Sequence, residues 1–312
     1  MCIRDRLLIR RGYSYRGMVY GMVVTAIVSL LFFAAINRRE FDLRLWNKAA
    51  SSQLLRIAAP FAPVSLAYWA FRSADKLMIT HMLGLSQVGI YSFGTKVSYI
   101  SQLIYSAFAG GWHYFAFSTM RDRDQVELTS KVLEYLGAIS FFATFFVCLL
   151  DDWIFELFFE GDYVKGVEVF PYLFLSPLIL MLFQTASNQF LVVKKSGLST
   201  LCIAAGLAVN LALNYFCIRY FGIRGAALAT FMGYAVTLGI CLWITAREGL
   251  IQLKLRFLAL CTLILGFVLC QFFFSKGICA IYSVLGMLLC LAFYGKDASA
   301  LVQSIGKEGK GR

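Results

Sequence analysis

Apolar residues run through this chain in blocks of about twenty, separated by short polar connections that carry most of the charge. Wound as an α-helix at about 1.5 Å per residue, such a block matches the roughly 30 Å hydrocarbon core of a bilayer. Nine blocks predict nine membrane-spanning helices, near 17–36, 57–80, 89–118, 133–150, 169–193, 198–218, 225–245, 257–274 and 278–294. None has the layout of a cleavable signal peptide, and the longest polar connection, 37–56, leaves no room for an appended soluble domain. The fold class expected is therefore all-α, a polytopic membrane helix bundle.

Composition narrows the function. Of the 312 residues 60% are hydrophobic and only 15% charged, too few to cover a water-facing surface, which excludes most soluble enzyme folds and also disorder. The net charge of +12 would point to nucleic acid in a soluble protein. Here the cations cluster in alternate connections, at Arg38, Arg39, Arg44, Lys48 and Arg56, at Arg121, Arg123 and Lys131, at Lys194 and Lys195, at Arg247, Lys254 and Arg256, and in the tail from Lys296 to Arg312. The positive-inside rule places these in the cytoplasm, with no nucleic-acid partner. The segment Asp151 to Glu168 holds six acids against Lys165 alone and is expected outside. Its acids with Trp153 read as an interfacial turn rather than a metal site, and His81 and His113 stand too far apart for a histidine-based centre.

The start of the chain fits less well. Five arginines between Met1 and Arg16 lie where alternation expects the outside, and only the stub Leu7 to Ile9 precedes the first hairpin. The expectation is a truncated chain, with Met1 to Arg6 set aside as a non-native leader. The segment Phe41 to Arg56, with Leu43, Trp46 and Leu54 among Arg44, Lys48 and Arg56, reads as an amphipathic helix lying in the interface or as a solvated connection. Nine cysteines form no C-x-x-C pair, and all but Cys2 sit in apolar stretches, where they act as small hydrophobes.

The second span carries the densest signal, because a charge at the bilayer centre costs about 2.5 to 3.5 kcal/mol even on permissive scales. At 100° per residue Ser65, Tyr68, Trp69, Arg72, Asp75 and Lys76 share one arc, and Leu66, Ala67, Ala70, Phe71, Ala74, Leu77 and Met78 fill the rest. That face turns toward a hydrated cavity, with Asp75 paired to Arg72 or Lys76, or else its charges snorkel into outer headgroups. Lys96, beside Ser92 and Tyr99 in the third span, is a second cation that can face the same cavity. Gln184, Ser187 and Asn188 in the fifth span, and Asn210 and Asn214 in the sixth, read as packing amides more than substrate contacts; Gly206, Ala226, Ala229 and Gly233 suit close helix approach. Pro60, Pro63 and Pro177 mark helix breaks or simple curvature.

The run APFAPVSLAYWAFRSADKLMI from Ala59, the following HMLGLSQVGIYSFGTK ending at Lys96, and FGIRGAALATFMGYAV from Phe221 to Val236 resemble polysaccharide transporters of the MATE-like flippase superfamily. The resemblance covers Leu7 to Arg247. It implies a first-lobe remnant over 1–36, a linker over 37–56, a six-helix second lobe over 57–246 and two further helices with a cytoplasmic tail over 247–312. It also implies a bacterial inner-membrane transporter, not an enzyme, that moves a lipid-linked oligosaccharide without any cofactor. Arg72, Lys76 and Lys96 would attract the anionic polyprenyl diphosphate, with Asp75, Tyr68 and Trp69 completing the cavity face. The expected partners are that lipid-linked substrate, membrane lipids and the enzymes that assemble the polysaccharide. A cation-coupled multidrug exporter, or a membrane glycosyltransferase or polymerase, is the alternative.

Overall fold

The computed structural model describes residues 14–38, 47, 48, 51, 52, 55, 62–119, 124–195 and 197–308, with side chains at 14–18, 62–64, 72, 113, 117 and 298–308 left out. The expected leader and most of the expected linker helix lie outside the described residues. The chain forms two compact units, Met1–Ala62 and Pro63–Arg312. In the first, α1 (Ser14–Ile36) has no charged residue beyond Arg16, and its stretch Val19–Ile36 is long and apolar enough to cross a membrane.

The second unit is a helical bundle built around α7. Its elements are α2 (Ala62–Leu83), α3 (Leu85–Ser98), α4 (Ile100–Ser118), α5 (Gln125–Leu149), the short α6 (Asp151–Phe158), a 3₁₀ turn (Gly161–Glu168), α7 (Phe170–Val192), α8 (Gly197–Arg247), α9 (Leu255–Phe273) and α10 (Lys276–Glu308). No strand occurs among the described residues. Helix α7 contacts α3, α4, α5 and α8 and is buried along most of its length, which its apolar circumference from Phe170 to Phe183 permits. Pro177 sits inside α7 without ending it.

Among the described residues six helices are long and apolar enough to cross a membrane: α1, α5, α7, α8, α9 and α10. Helix α8, with 51 residues, would reach about 77 Å if straight, more than twice a hydrocarbon core. It is broken at Gly222, whose φ of 61° and ψ of −142° only glycine adopts without strain. Its arms, 197–221 and 223–247, match the separate sixth and seventh spans expected from hydropathy. The chain is thus a multi-pass membrane protein of all-α class.

The second and third expected spans differ from that pattern. Helix α2, with Arg72, Asp75 and Lys76, is not among the six. The third span, expected to be continuous over 89–118, divides into α3 and α4 at Tyr99. The hydroxyl of Ser98 donates to the Gly94 carbonyl at 2.9 Å and approaches that of Phe170 at 3.4 Å, while Ser101 donates to Ser98 at 2.8 Å. Serine hydroxyls that compete for helix carbonyls bend or interrupt a helix, a local effect that average hydropathy does not register.

Ion pairs tie the helix ends together. At the end that carries the basic connections, Arg256 of α9 donates from Nε and Nη2 to Oε2 of Glu134 at 2.9 Å each and from Nη1 to Oδ2 of Asp297 in α10 at 2.8 Å. The Glu134 side chain is buried, and the Arg256 guanidinium lies 4.5 Å from the ring centroid of Tyr294. At the opposite end Lys276 pairs with Asp152 beside a cavity of about 350 Å³ lined by Asp151, Tyr172, Arg224 and Cys279. Burial, reinforced by the neighbouring charge of Asp152, pushes the Asp151 carboxyl up to about 7. The eight cysteines from Cys148 to Cys290 are free thiols, six of them buried, as small apolar residues would be. Among the described residues no group of three His, Cys, Asp or Glu gathers as a metal site.

Candidate functional site

Helix α2 places the site. Phe71, Ala74, Asp75 and Ile79 are buried and recur at helical spacing, so this stripe faces the bundle while Leu66, Trp69 and Leu77 face outward. The two-face division expected from the sequence is therefore corrected: Asp75 shares its side with Phe71 and Ala74, and Trp69 lies on the other. The reason is that Phe71 stacks on Tyr234 of α8 with ring centroids 4.4 Å apart, turning the adjacent arc of α2 inward.

Asp75 is 4% exposed and accepts hydrogen bonds from three side chains, one on α3 and one on each arm of α8. Tyr91 of α3 donates its hydroxyl to Oδ2 at 2.6 Å, Asn214 of the first arm of α8 donates from Nδ2 to Oδ1 at 2.7 Å, and Thr230 of the second arm donates to Oδ2. Asn210, one turn before Asn214, reaches the Thr230 hydroxyl at 3.4 Å. The expected pairing of Asp75 with Lys76 is not made: among the described residues Asp75 forms no ion pair, because neutral donors occupy both its oxygens. The pairing with Arg72 falls on a side chain outside the described ones.

Small residues make this convergence possible. A Cβ on Gly233 would stand 2.7 Å from Cβ of Asn210 and 2.9 Å from Phe71, so only glycine lets the two arms of α8 close on α2. The amide oxygens of Asn210 and Asn214 are buried without a hydrogen-bond partner. Each asparagine turns its amide N–H group to the hub instead, Asn214 toward Asp75 and Asn210 toward Thr230.

Beside the hub lies a cavity of about 310 Å³. Tyr68, Asp75 and Lys76 of α2, Tyr91 of α3, Gln102 and Tyr105 of α4, and Gln184 of α7 contribute polar or aromatic groups to its wall. Tyr105 donates to Oε1 of Gln184 at 2.5 Å, which holds one edge of the opening. Of the residues singled out by sequence, Tyr68, Asp75 and Lys76 meet here, joined by Gln184, which the sequence suggested as a packing amide. Lys96 is exposed and Trp69 is 59% exposed, and neither lines this wall. Lys76 is half-buried and makes no ion pair among the described residues, leaving its ammonium available to the cavity.

A family model described as polysaccharide biosynthesis protein matches residues 7–168, just over half of the chain. The chain belongs to this family. The matched stretch spans Tyr68, Asp75, Lys76 and Tyr91, while Asn210, Asn214 and Thr230 fall beyond it. No curated protein and no solved structure matches the chain.

Tyr91 and Thr230 stand within the runs that carry the family resemblance, but no role was read for either, because nothing local shows which buried group a tyrosine or a threonine in an apolar helix will meet. Asn210 and Asn214 gave a usable signal. Two amides one turn apart in an apolar helix need a buried partner, and Asp75 was the acid inside a span available to supply it.

Proposed function

We propose that this protein carries a lipid-linked oligosaccharide across the bacterial inner membrane for the synthesis of a surface polysaccharide. The observation that carries the reading is the wall of the cavity beside Asp75. Tyrosine rings offer apolar faces to sugar C–H edges, the amides of Gln102 and Gln184 and the neighbouring hydroxyls offer hydrogen bonds, and Lys76 offers a cation to a diphosphate. Membership in the polysaccharide biosynthesis family supports the substrate class. The work is binding and movement, without covalent chemistry, so the protein acts as a transporter rather than an enzyme. The lipid tail stays in the bilayer, and the enzymes that build and consume the saccharide are the functional partners.

One observation favours a second reading. Asp75, a buried acid on the wall of this cavity, is the kind of intramembrane carboxylate that couples a cation to export of an apolar drug.

The test is translocation in proteoliposomes of a polyprenyl-diphosphate oligosaccharide labelled on its sugar, read by access of a membrane-impermeant quencher. Lys76→Gln and Tyr68→Ala should slow transfer several-fold while leaving the amount of inserted protein unchanged. Equal rates for the variants and the unaltered chain would refute the cavity's role, and cation-dependent export of a fluorescent drug without saccharide transfer would establish the second reading.

A further inference from the structure

Between the turn that leaves α7 and the end of α8 lies an open groove of about 650 Å³, separate from the cavity beside Asp75. Its walls include Lys195, Leu198, Trp243, Ile244, Arg247 and Glu248. We propose that this groove binds an anionic phospholipid of the adjoining leaflet, with the headgroup phosphate on Arg247 and the lysines and the acyl chain along Leu198, Ile244 and Trp243.

The charges favour an anion. Arg247 is exposed, and its guanidinium lies 5.5 Å from the ring centroid of Trp243, within cation–π reach, with its planar N–H fork suited to phosphate. It forms no ion pair among the described residues. Lys195 pairs with Glu248 at 2.8 Å, but both side chains are about half exposed, and so loose a pair exchanges partners readily. Lys194, held at a φ of 57° by the turn that closes α7, is a third exposed cation, next in the chain to Lys195 of the wall. Three cations therefore stand against one acid.

The apolar side favours a lipid over a soluble anion. Trp243 is 61% exposed at the last turns of a membrane-crossing helix, where an amphipathic indole sits at headgroup depth. Ile244 and Leu198 continue the apolar wall, and the groove is open at its side. Basic pockets between helices at the cytoplasmic surface are sites of this kind. The position also links the lipid to the hub: the groove joins the first residues of one arm of α8 to the last residues of the other, and these arms hold Asp75 through Asn214 and Thr230. A lipid seated here bridges the two arms at their cytoplasmic ends.

Native mass spectrometry of the full chain, released from detergent with phosphatidylglycerol or phosphatidylcholine at equal concentration, tests the proposal. Phosphatidylglycerol should be retained preferentially. Arg247→Gln and Lys194→Gln should each weaken its binding about fivefold, and Arg247→Lys should recover part of the loss. Lys165→Gln, at the opposite end of the bundle, should leave binding unchanged and shows that the assay reads position rather than total charge. Equal retention of phosphatidylcholine would overturn the proposal, as would unaltered binding by an Arg247→Gln, Lys194→Gln double variant with native helicity. Displacement by millimolar glycerol phosphate would make the groove a soluble-anion site, and selective displacement by a polyprenyl diphosphate would make it a substrate entry point. Either result rejects the phospholipid and leaves the reading of the cavity standing on its own assay.

Discussion

The hydroxyl of Tyr91 donates to Oδ2 of Asp75 across 2.6 Å, joining α3 to α2 at a point buried from solvent. Asn214 and Thr230 complete the arrangement, so one carboxylate holds α3 and both arms of α8 to α2. A group with so many buried partners is both a structural fastener and a point where a change in protonation or ligation would be felt by every helix it touches.

The hub should respond unequally to loss of its members. Tyr91→Phe removes one donor and leaves two, and is expected to lower stability by about 1 kcal/mol. Asp75→Ala strips the acceptor from three buried donors and is expected to cost about 3 kcal/mol or more. Thermal unfolding in mild detergent orders the two, and an Asp75→Ala protein as stable as Tyr91→Phe would argue against the shared carboxylate.

Glu134 and Arg256 should couple energetically. The buried Glu134 carboxylate receives two donors from Arg256, and removing either partner leaves the other short of its hydrogen bonds. A double-mutant cycle of Glu134→Gln with Arg256→Gln is expected to give an interaction energy of about 1–3 kcal/mol. A value near zero would mean that α9 is held to α5 by apolar packing alone.

Stability should fall as pH rises toward neutrality through the single site Asp151. Its carboxyl, with an ordinary value of 3.8, is pushed up to about 7 in the folded chain. Between those values the folded state binds a proton that the unfolded state has lost. The contribution is therefore fully present below about pH 4 and fades as pH climbs through 7. Comparing Asp151→Asn with the unaltered chain over pH 5 to 8 isolates the effect. The melting-temperature difference between them should widen in favour of the variant as pH rises, and a constant difference would contradict it.

Gly233 should tolerate no side chain, unlike Gly239 two turns later in the same arm. A Cβ at 233 meets Asn210 and Phe71, whereas one at 239 meets nothing within 4 Å. Gly233→Val is expected to cost about 1–3 kcal/mol by forcing the two arms apart. Gly239→Ala should be neutral or stabilise by roughly 0.5–1 kcal/mol through helix propensity. Unfolding measurements on both variants separate contact from propensity.

Much of the architecture was legible from one dimension. Hydropathy located α1, α5, α7, both arms of α8, α9 and α10 because each must satisfy a bilayer's thickness along its own length. The break at Tyr99 was not legible, since it depends on where the hydroxyls of Ser98 and Ser101 find acceptors, one of them the Phe170 carbonyl in another helix. Asp75 stood out in the sequence as an intramembrane acid, but its neighbours suggested Lys76 as partner. The spacing of Asn210 and Asn214 was read as packing, and both asparagines turn inward to the same hub.

The amino-acid sequence by itself determined that this is an all-helical membrane protein, roughly where its helices run, and which few residues are out of place in lipid. Those properties depend on composition and spacing within single helices. Tertiary structure alone decided that Asp75 binds Asn214, 139 positions away, and Thr230, 155 positions away, instead of the lysine beside it. Adjacent residues on a helix point about 100° apart, so chain proximity does not bring their side chains together. Glycine-lined contacts such as that of Gly233 with Asn210 let distant helices close on the carboxylate, and in a water-poor interior it takes whichever donors the packing delivers.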